Sequence, residues 1–142
     1  MKKIILILLI LFNLYSNAQP PLVQWQKSLG GNDWEQVGCV ERTNDGGYIV
    51  AGSTASIDGN VVAYYGNWDC FLVKLNASGA VQWSKNYGGS NNDYALSIKP
   101  TPDGGFIFVG LTDSNNNDVS GNHGSFDFWV VKTDGDGVVQ WQ

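Results

Sequence analysis

The chain has 142 residues, with 13 acidic and 8 basic side chains and a formal net charge of −5. An acidic chain without basic clusters repels phosphate, which argues against nucleic acid and anionic membrane surfaces as partners. Eighteen glycines and 13% aromatic residues point to a chain rich in tight turns.

The N-terminus opens Met1-Lys2-Lys3, runs apolar over residues 4–12, and reaches small residues at Ser16-Asn17-Ala18 before Gln19. That order predicts a secretory signal peptide over 1–18, cleaved after Ala18. The apolar run is far shorter than the roughly 20 residues that span a bilayer. A retained membrane anchor is the alternative. No cysteine follows the run, so nothing suggests lipidation. The rest of the chain, 19–142, holds six basic and thirteen acidic residues, a net −7. A secreted, extracellular or cell-surface location is expected, with no membrane insertion after cleavage. Cys39 and Cys70 would then meet an oxidising compartment. Their counterparts in the repeat described next are Ser97 and Phe128, and they fall on strands not expected to be adjacent. Two buried small residues are therefore preferred to a disulfide.

Beyond the leader an internal repeat dominates. Val23-Gln24-Trp25-Gln26 returns as Val81-Gln82-Trp83-Ser84 and as Val139-Gln140-Trp141-Gln142, each step 58 residues long. Residues 25–82 and 83–140 share 20 identities in 58 without a gap. Among them are Gly30-Gly31 with Gly88-Gly89, Asp45-Gly46-Gly47 with Asp103-Gly104-Gly105, and Val73-Lys74 with Val131-Lys132. A period of this length marks a repeat architecture.

Four strands are predicted per unit. Strand A covers 36–42 and 94–99. Asp-Gly-Gly makes a tight turn, because glycine accepts positive φ. Strand B covers 48–53 and 106–111, and strand C covers 69–75 and 127–133. Strand C is nearly all apolar, as expected of a strand buried on both faces. Turns at 76–79 and 134–137 lead to strand D at 80–86. Asn76-Ala77-Ser78 matches a glycosylation sequon, yet a turn accounts for it. Residues 22–29 match strand D. No helical periodicity stands out beyond the leader. Four antiparallel strands per unit, repeated, fit β-propeller blades in an all-β protein. A β-solenoid and a pair of small sandwiches are the alternatives.

The string Gly88-Gly89, Asp93-Tyr94-Ala95, Asp103-Gly104-Gly105-Phe106-Ile107, Gly110, Asp127, Val131-Lys132 and Gly137-Val138-Val139-Gln140-Trp141 resembles the long propeller repeats of secreted bacterial proteins with quinoprotein-like folds. The resemblance covers residues 22–142. It implies an exported or surface-bound protein, often large and ending in a sorting domain, and some similar repeats accompany polysaccharide hydrolases. Gly79-Ala80-Val81-Gln82-Trp83 matches the Gly-x-x-x-Trp pattern of such blades, in which the Trp packs between neighbours. The quinone site, with its metal ligands and catalytic acid, finds no match. Rings of this kind need roughly four to eight blades, so two units read as an N-terminal fragment. Its missing blades, or self-association, would supply neighbours.

Candidate sites are few. Asp113, Asn115, Asn117 and Asp118 place oxygens like the start of a calcium loop. The pattern then breaks, with Asp118 where glycine belongs and Gly124 where a glutamate belongs. No other cofactor is suggested. The acids that repeat, Glu35/Asp93, Asp45/Asp103 and Asp69/Asp127, read as turn and capping groups, so no catalytic residue is assigned. His123 stands alone in a Gly- and Asn-rich loop, which leaves neither a Ser/His/Asp set nor a zinc set. Trp34, Tyr64 and Tyr65 have no aromatic counterparts at Asn92, Asn122 and His123. They are the ligand-binding candidates, for an extracellular glycan or protein. Loops 55–68 and 113–126 differ most between copies, and divergent loops on a regular frame are where recognition resides. The favoured function is a non-catalytic binding or adhesion scaffold. The alternatives are the propeller portion of a polysaccharide-degrading enzyme with its catalytic residues elsewhere, and a structural spacer.

Overall fold

A computed structural model describes residues 21–142. The leader expected over 1–18 lies outside the described residues. No helix occurs among the described residues, and none is long and apolar enough to cross a membrane. The described residues form eight strands: β1 (Glu35–Arg42), β2 (Tyr48–Thr54), β3 (Asp69–Leu75), β4 (Val81–Tyr87), β5 (Asp93–Pro100), β6 (Phe106–Thr112), β7 (Asp127–Thr133) and β8 (Val139–Trp141). They make two four-stranded antiparallel sheets, ordered β1-β2-β3-β4 and β5-β6-β7-β8. The repeat is thus a repeat of sheets.

The turns explain why the strands begin where they do. In the first hairpin Gly46 takes φ +80°, and Asp45 Oδ1 accepts from the Gly47 amide at 3.0 Å. Lys74 reaches across to Asp45 at 2.8 Å, to Gln82 Oε1 at 2.9 Å and to the Leu75 carbonyl at 3.1 Å. The second sheet repeats this network. Lys132 binds Asp103 at 2.9 Å, Gln140 at 3.0 Å and the Thr133 carbonyl at 2.8 Å. The recurring Asp-Gly-Gly, Val-Lys and Val-Gln-Trp motifs are therefore one contact set. A buried ammonium is tolerable only when so paired. The β3–β4 turn is closed by Asn76 Oδ1, which accepts from the Ser78 and Ala80 amides at 3.0 Å each. Asp134 does the same between β7 and β8.

The two sheets pack face to face. Ile49, Ala51, Cys70 and Leu72 of the first meet Phe106, Phe108, Trp129 and Val131 of the second in one buried cluster, with Tyr87, Ala95 and Ile98 at its margins. Tyr87 donates to the Gly137 carbonyl at 2.7 Å, and Trp83 Nε1 donates to the Gly135 carbonyl at 3.2 Å. Both bonds cross from the outer strand of one sheet to the turn of the next. Trp25 stands over Gly79, where an added Cβ would come within 2.7 Å of the indole. The Gly-x-x-x-Trp spacing thus acts between units.

Two expectations need correction, and the preference for free cysteines over a disulfide is met. Residues 22–29 form no strand, and that segment packs instead through Trp25 against Tyr48 and through Leu29 beside Val73. Strand β3 is buried along its whole length, but β7 is not: Phe128 is 89% exposed, because no sheet covers that face among the described residues. The cysteines are free. Cys39 pairs in register with Ala51 and Cys70 with Ser53, so β2 separates their strands.

Tyr87→Phe removes the hydrogen bond that crosses the joint to the Gly137 carbonyl. A loss of about 1–3 kcal/mol is expected in urea denaturation, the cost of stranding a buried polar group. Lys74→Met strands Gln82 and the Asp45 turn in the same way, and a comparable loss is expected by the same measurement.

Candidate functional site

All chain crossings at one end of the sheets are short turns, at 43–47, 76–80, 101–105 and 134–138. The opposite end carries the long loops 55–68 and 113–126 and the connections before β1 and β5. A repeated polar frame holds this loop end. Glu35 accepts from Thr54 Oγ1 at 2.9 Å and from the Gly31 amide at 3.2 Å. At the equivalent place Asp93 accepts from Thr112 Oγ1, from Ser114 Oγ at 2.9 Å and from the Gly89 amide at 2.7 Å. Ser56 Oγ accepts from the Asp33 amide at 2.8 Å, and Ser114 Oγ from the Asn91 amide at 3.0 Å. Asp69 and Asp127 each cap their own loop, accepting from the amides of Tyr65 at 2.8 Å and His123 at 2.6 Å. Every repeated acid thus holds a turn or loop.

On this frame the loops differ. Trp34 precedes β1 and is 76% exposed, and Tyr64 and Tyr65 are exposed in the first long loop. No ring contact joins these three. The structure does bring together a different row. Tyr94, at the start of β5, lies 5.8 Å from Trp68 and 6.0 Å from Phe126, centroid to centroid. Trp68 and Phe126 are repeat equivalents, which was legible, but Tyr94 becomes their bridge only because β5 rises between the two loops. Phe126 stays exposed at the outer end of the row.

In the calcium-like segment three side chains accept from backbone amides. Asp113 accepts from the Asn92 amide at 2.6 Å, Asn115 from the Gly121 amide at 3.1 Å, and Asp118 from the Gly88 amide at 3.3 Å. Asn117 takes a positive φ of 54° as part of the turn. Among the described residues, no group of three or more His, Cys, Asp or Glu side chains is placed to hold a metal ion. His123 is exposed and pairs with Asp127 at 3.0 Å, beside a cleft of about 260 Å³ under the second loop. The larger cleft of about 500 Å³, between the sheets at the turn end, includes the Asp45–Lys74 pair and Trp83 in its walls.

One buried acid stands apart. Asp69 is fully buried, and its Oδ1 has no hydrogen-bond partner. Desolvation pushes its carboxyl up to about 6, opposed by the Tyr65 amide and reinforced by the nearby Asp93. Burial also raises Asp118. By contrast Lys74 holds Asp45, and Lys132 holds Asp103, well below the usual carboxylate range.

No family model matches the chain, and no curated protein matches it.

The two kinds of carboxylate predict a stability profile with a maximum in mild acid. Folded Asp69 keeps its proton to about pH 6, above its ordinary value of 3.8, so its contribution falls as pH rises through that window. The Asp45 and Asp103 contributions are present above 3.8 and are lost as pH falls below it. Asp69→Asn keeps the acceptor for Tyr65 and removes the charge. Chemical denaturation should show it stabilising the protein at pH 7.5 by on the order of 2 kcal/mol and flattening the slope between pH 4 and 6.

Proposed function

We propose that this chain is a stretch of β-propeller blades from an exported protein, and that its loop end is a non-catalytic surface for binding a cell-surface or extracellular glycan. Four-stranded antiparallel units stacked face to face support the propeller reading. The basic, apolar and small-residue order of residues 1–18 supports export.

The observation that carries the binding reading is the contrast between the two ends of the sheets. The turn end repeats its Asp–Lys–Gln network atom for atom, whereas the loop end holds an equivalent frame under loops of unlike sequence. The first of those loops presents Tyr64 and Tyr65, and Trp34 stands on the connection before β1. Tyrosine and tryptophan offer a flat apolar face with a polar tip, suited to stacking on a sugar ring while its hydroxyls meet Asn and Asp neighbours. The repeated acids hold turns and loops, Asp45 and Asp103 through lysines and the others through amides and hydroxyls, which supports a non-catalytic reading.

The test is a glycan array followed by calorimetric titration of the best polysaccharide against the full chain. The double variant Tyr64→Ala/Tyr65→Ala is expected to weaken binding at least tenfold with an unchanged melting temperature. Release of reducing ends from the bound polysaccharide would overturn the non-catalytic reading. Binding undiminished in the double variant would remove the loop surface from it.

A further inference from the structure

The joint between the two sheets is built from one face of each. The first sheet contributes Ile49, Ala51, Cys70 and Leu72, and the second contributes Phe106, Phe108, Trp129 and Val131. Moved by one repeat, these sets name the faces that no second sheet covers among the described residues, although on the first sheet Phe71 and Val73 are already buried beside Leu29. On the second sheet they become Ile107, Val109, Phe128 and Val130, and on the first Tyr48, Val50, Phe71 and Val73. The burial contrast is sharp at the first strand. Val37 and Val40 are 74% and 58% exposed, while their equivalents Ala95 and Ile98 are each 1% exposed. An apolar groove of about 460 Å³ runs along this open face of the first sheet.

The two open faces differ from the closed ones in a compensating way. Ala51 and Cys70 give way to the larger Val109 and Phe128, while Phe108 and Trp129 give way to the smaller Val50 and Phe71. Small against large inside the chain becomes large against small outside it. Cores accept exchanges that conserve total volume, so the two open faces suit each other. We propose that copies of this chain associate head to tail, the open β5–β7 face of one docking on the open β1–β3 face of the next in the register of the internal joint.

Two features of the loop end agree. Inside the chain the connection 88–92 lies over Gly66, where an added Cβ would meet the Asn91 carbonyl at 2.3 Å, and Trp68 forms a parallel bridge with Asn92. The equivalent Gly124, at φ +108°, has nothing within 4 Å. A docked copy brings its own 30–34 connection over Gly124, and the exposed Trp34 beside the exposed Phe126. At the outer edge Trp25 already fills the seat over Gly79, so the joint is made by the first three strands of each sheet. At the inner edge the copies stand further apart than β1 and β5 do. Leu96 replaces Gly38, whose Cβ would lie 2.4 Å from the Ala95 carbonyl, and Val37 replaces Ala95.

The experiment is sedimentation velocity with native mass spectrometry on the purified full chain. Discrete multiples of the protomer mass are expected at micromolar concentration. Phe128→Asp and Val40→Asp each spoil one exposed face and should raise the dissociation midpoint at least tenfold. Mixing the two variants pairs the intact face of each, so a 1:1 heterodimer that grows no further should appear. Leu96→Gly should tighten association. A wild-type monomer at 100 μM overturns the proposal, as do aggregates that neither charge variant diminishes. Failure of the mixed variants to pair overturns the head-to-tail arrangement. Trp34 enters this joint, so the glycan reading then rests on Tyr64 and Tyr65, and their double variant tests it separately from association.

Discussion

Phe108 is wholly buried between the sheets, with Tyr87 from the first sheet and Trp129 from its own at 5.4 and 5.8 Å. Around it the two sheets share one apolar layer, and each sheet depends on that layer for the burial of a face. A lone four-stranded sheet has one face to hide and nothing of its own to hide it with. Burying a side chain of this size contributes about 1.5–3 kcal/mol, and the cluster holds several. The cross-joint bonds from Trp83 and Tyr87 set the rotation of one sheet on the other, because a tryptophan and a tyrosine each meet a carbonyl of the next turn.

That layer also fixes which end of the sheets can vary. The turns at one end are locked to the strands by Lys74 and Lys132, interior cations in an acidic chain, each bound to a carboxylate, an amide oxygen and a carbonyl. Any change there strands a buried charge. The loop end is held by hydroxyls and carboxylates at the strand termini, below the loops themselves. Loop sequence beyond Ser56 and Ser114 is therefore freer to diverge. The exposed aromatics stand on that freer surface.

The loop end also collects the least comfortable charges. Asp69, Asp93 and Asp118 approach one another where the two sheets and the 88–92 connection meet, and Gly88 has room for no side chain between two of them. Asp93 is satisfied by two hydroxyls and an amide, but Asp69 has one oxygen with no donor. Burial without a partner raises a carboxyl, and pairing with an ammonium lowers it. The same chain shows both outcomes within one sheet, at Asp69 and Asp45.

The sequence by itself determined the period, the strands and the turns. The strand ends expected from the Asp-Gly-Gly and Asn/Asp turns fall within a residue or so of those observed, because glycine at positive φ and side-chain caps act locally. It also marked the three repeated acid pairs as holders of turns and loops. Tertiary structure decided what depended on neighbours. Strand β7 looks as buried as β3 in sequence, yet only β3 has the other sheet on one face and Leu29 packed against the other. Segment 22–29 carries a strand motif but pairs with no strand among the described residues. Tyr94 meets Trp68 and Phe126 because β5 stands between their loops, and Asp113 and Asp118 accept from backbone amides of the 88–92 connection, a partner that lies far off in sequence. A local signal survives wherever the chain supplies both partners within one turn. It fails wherever the partner comes from another sheet.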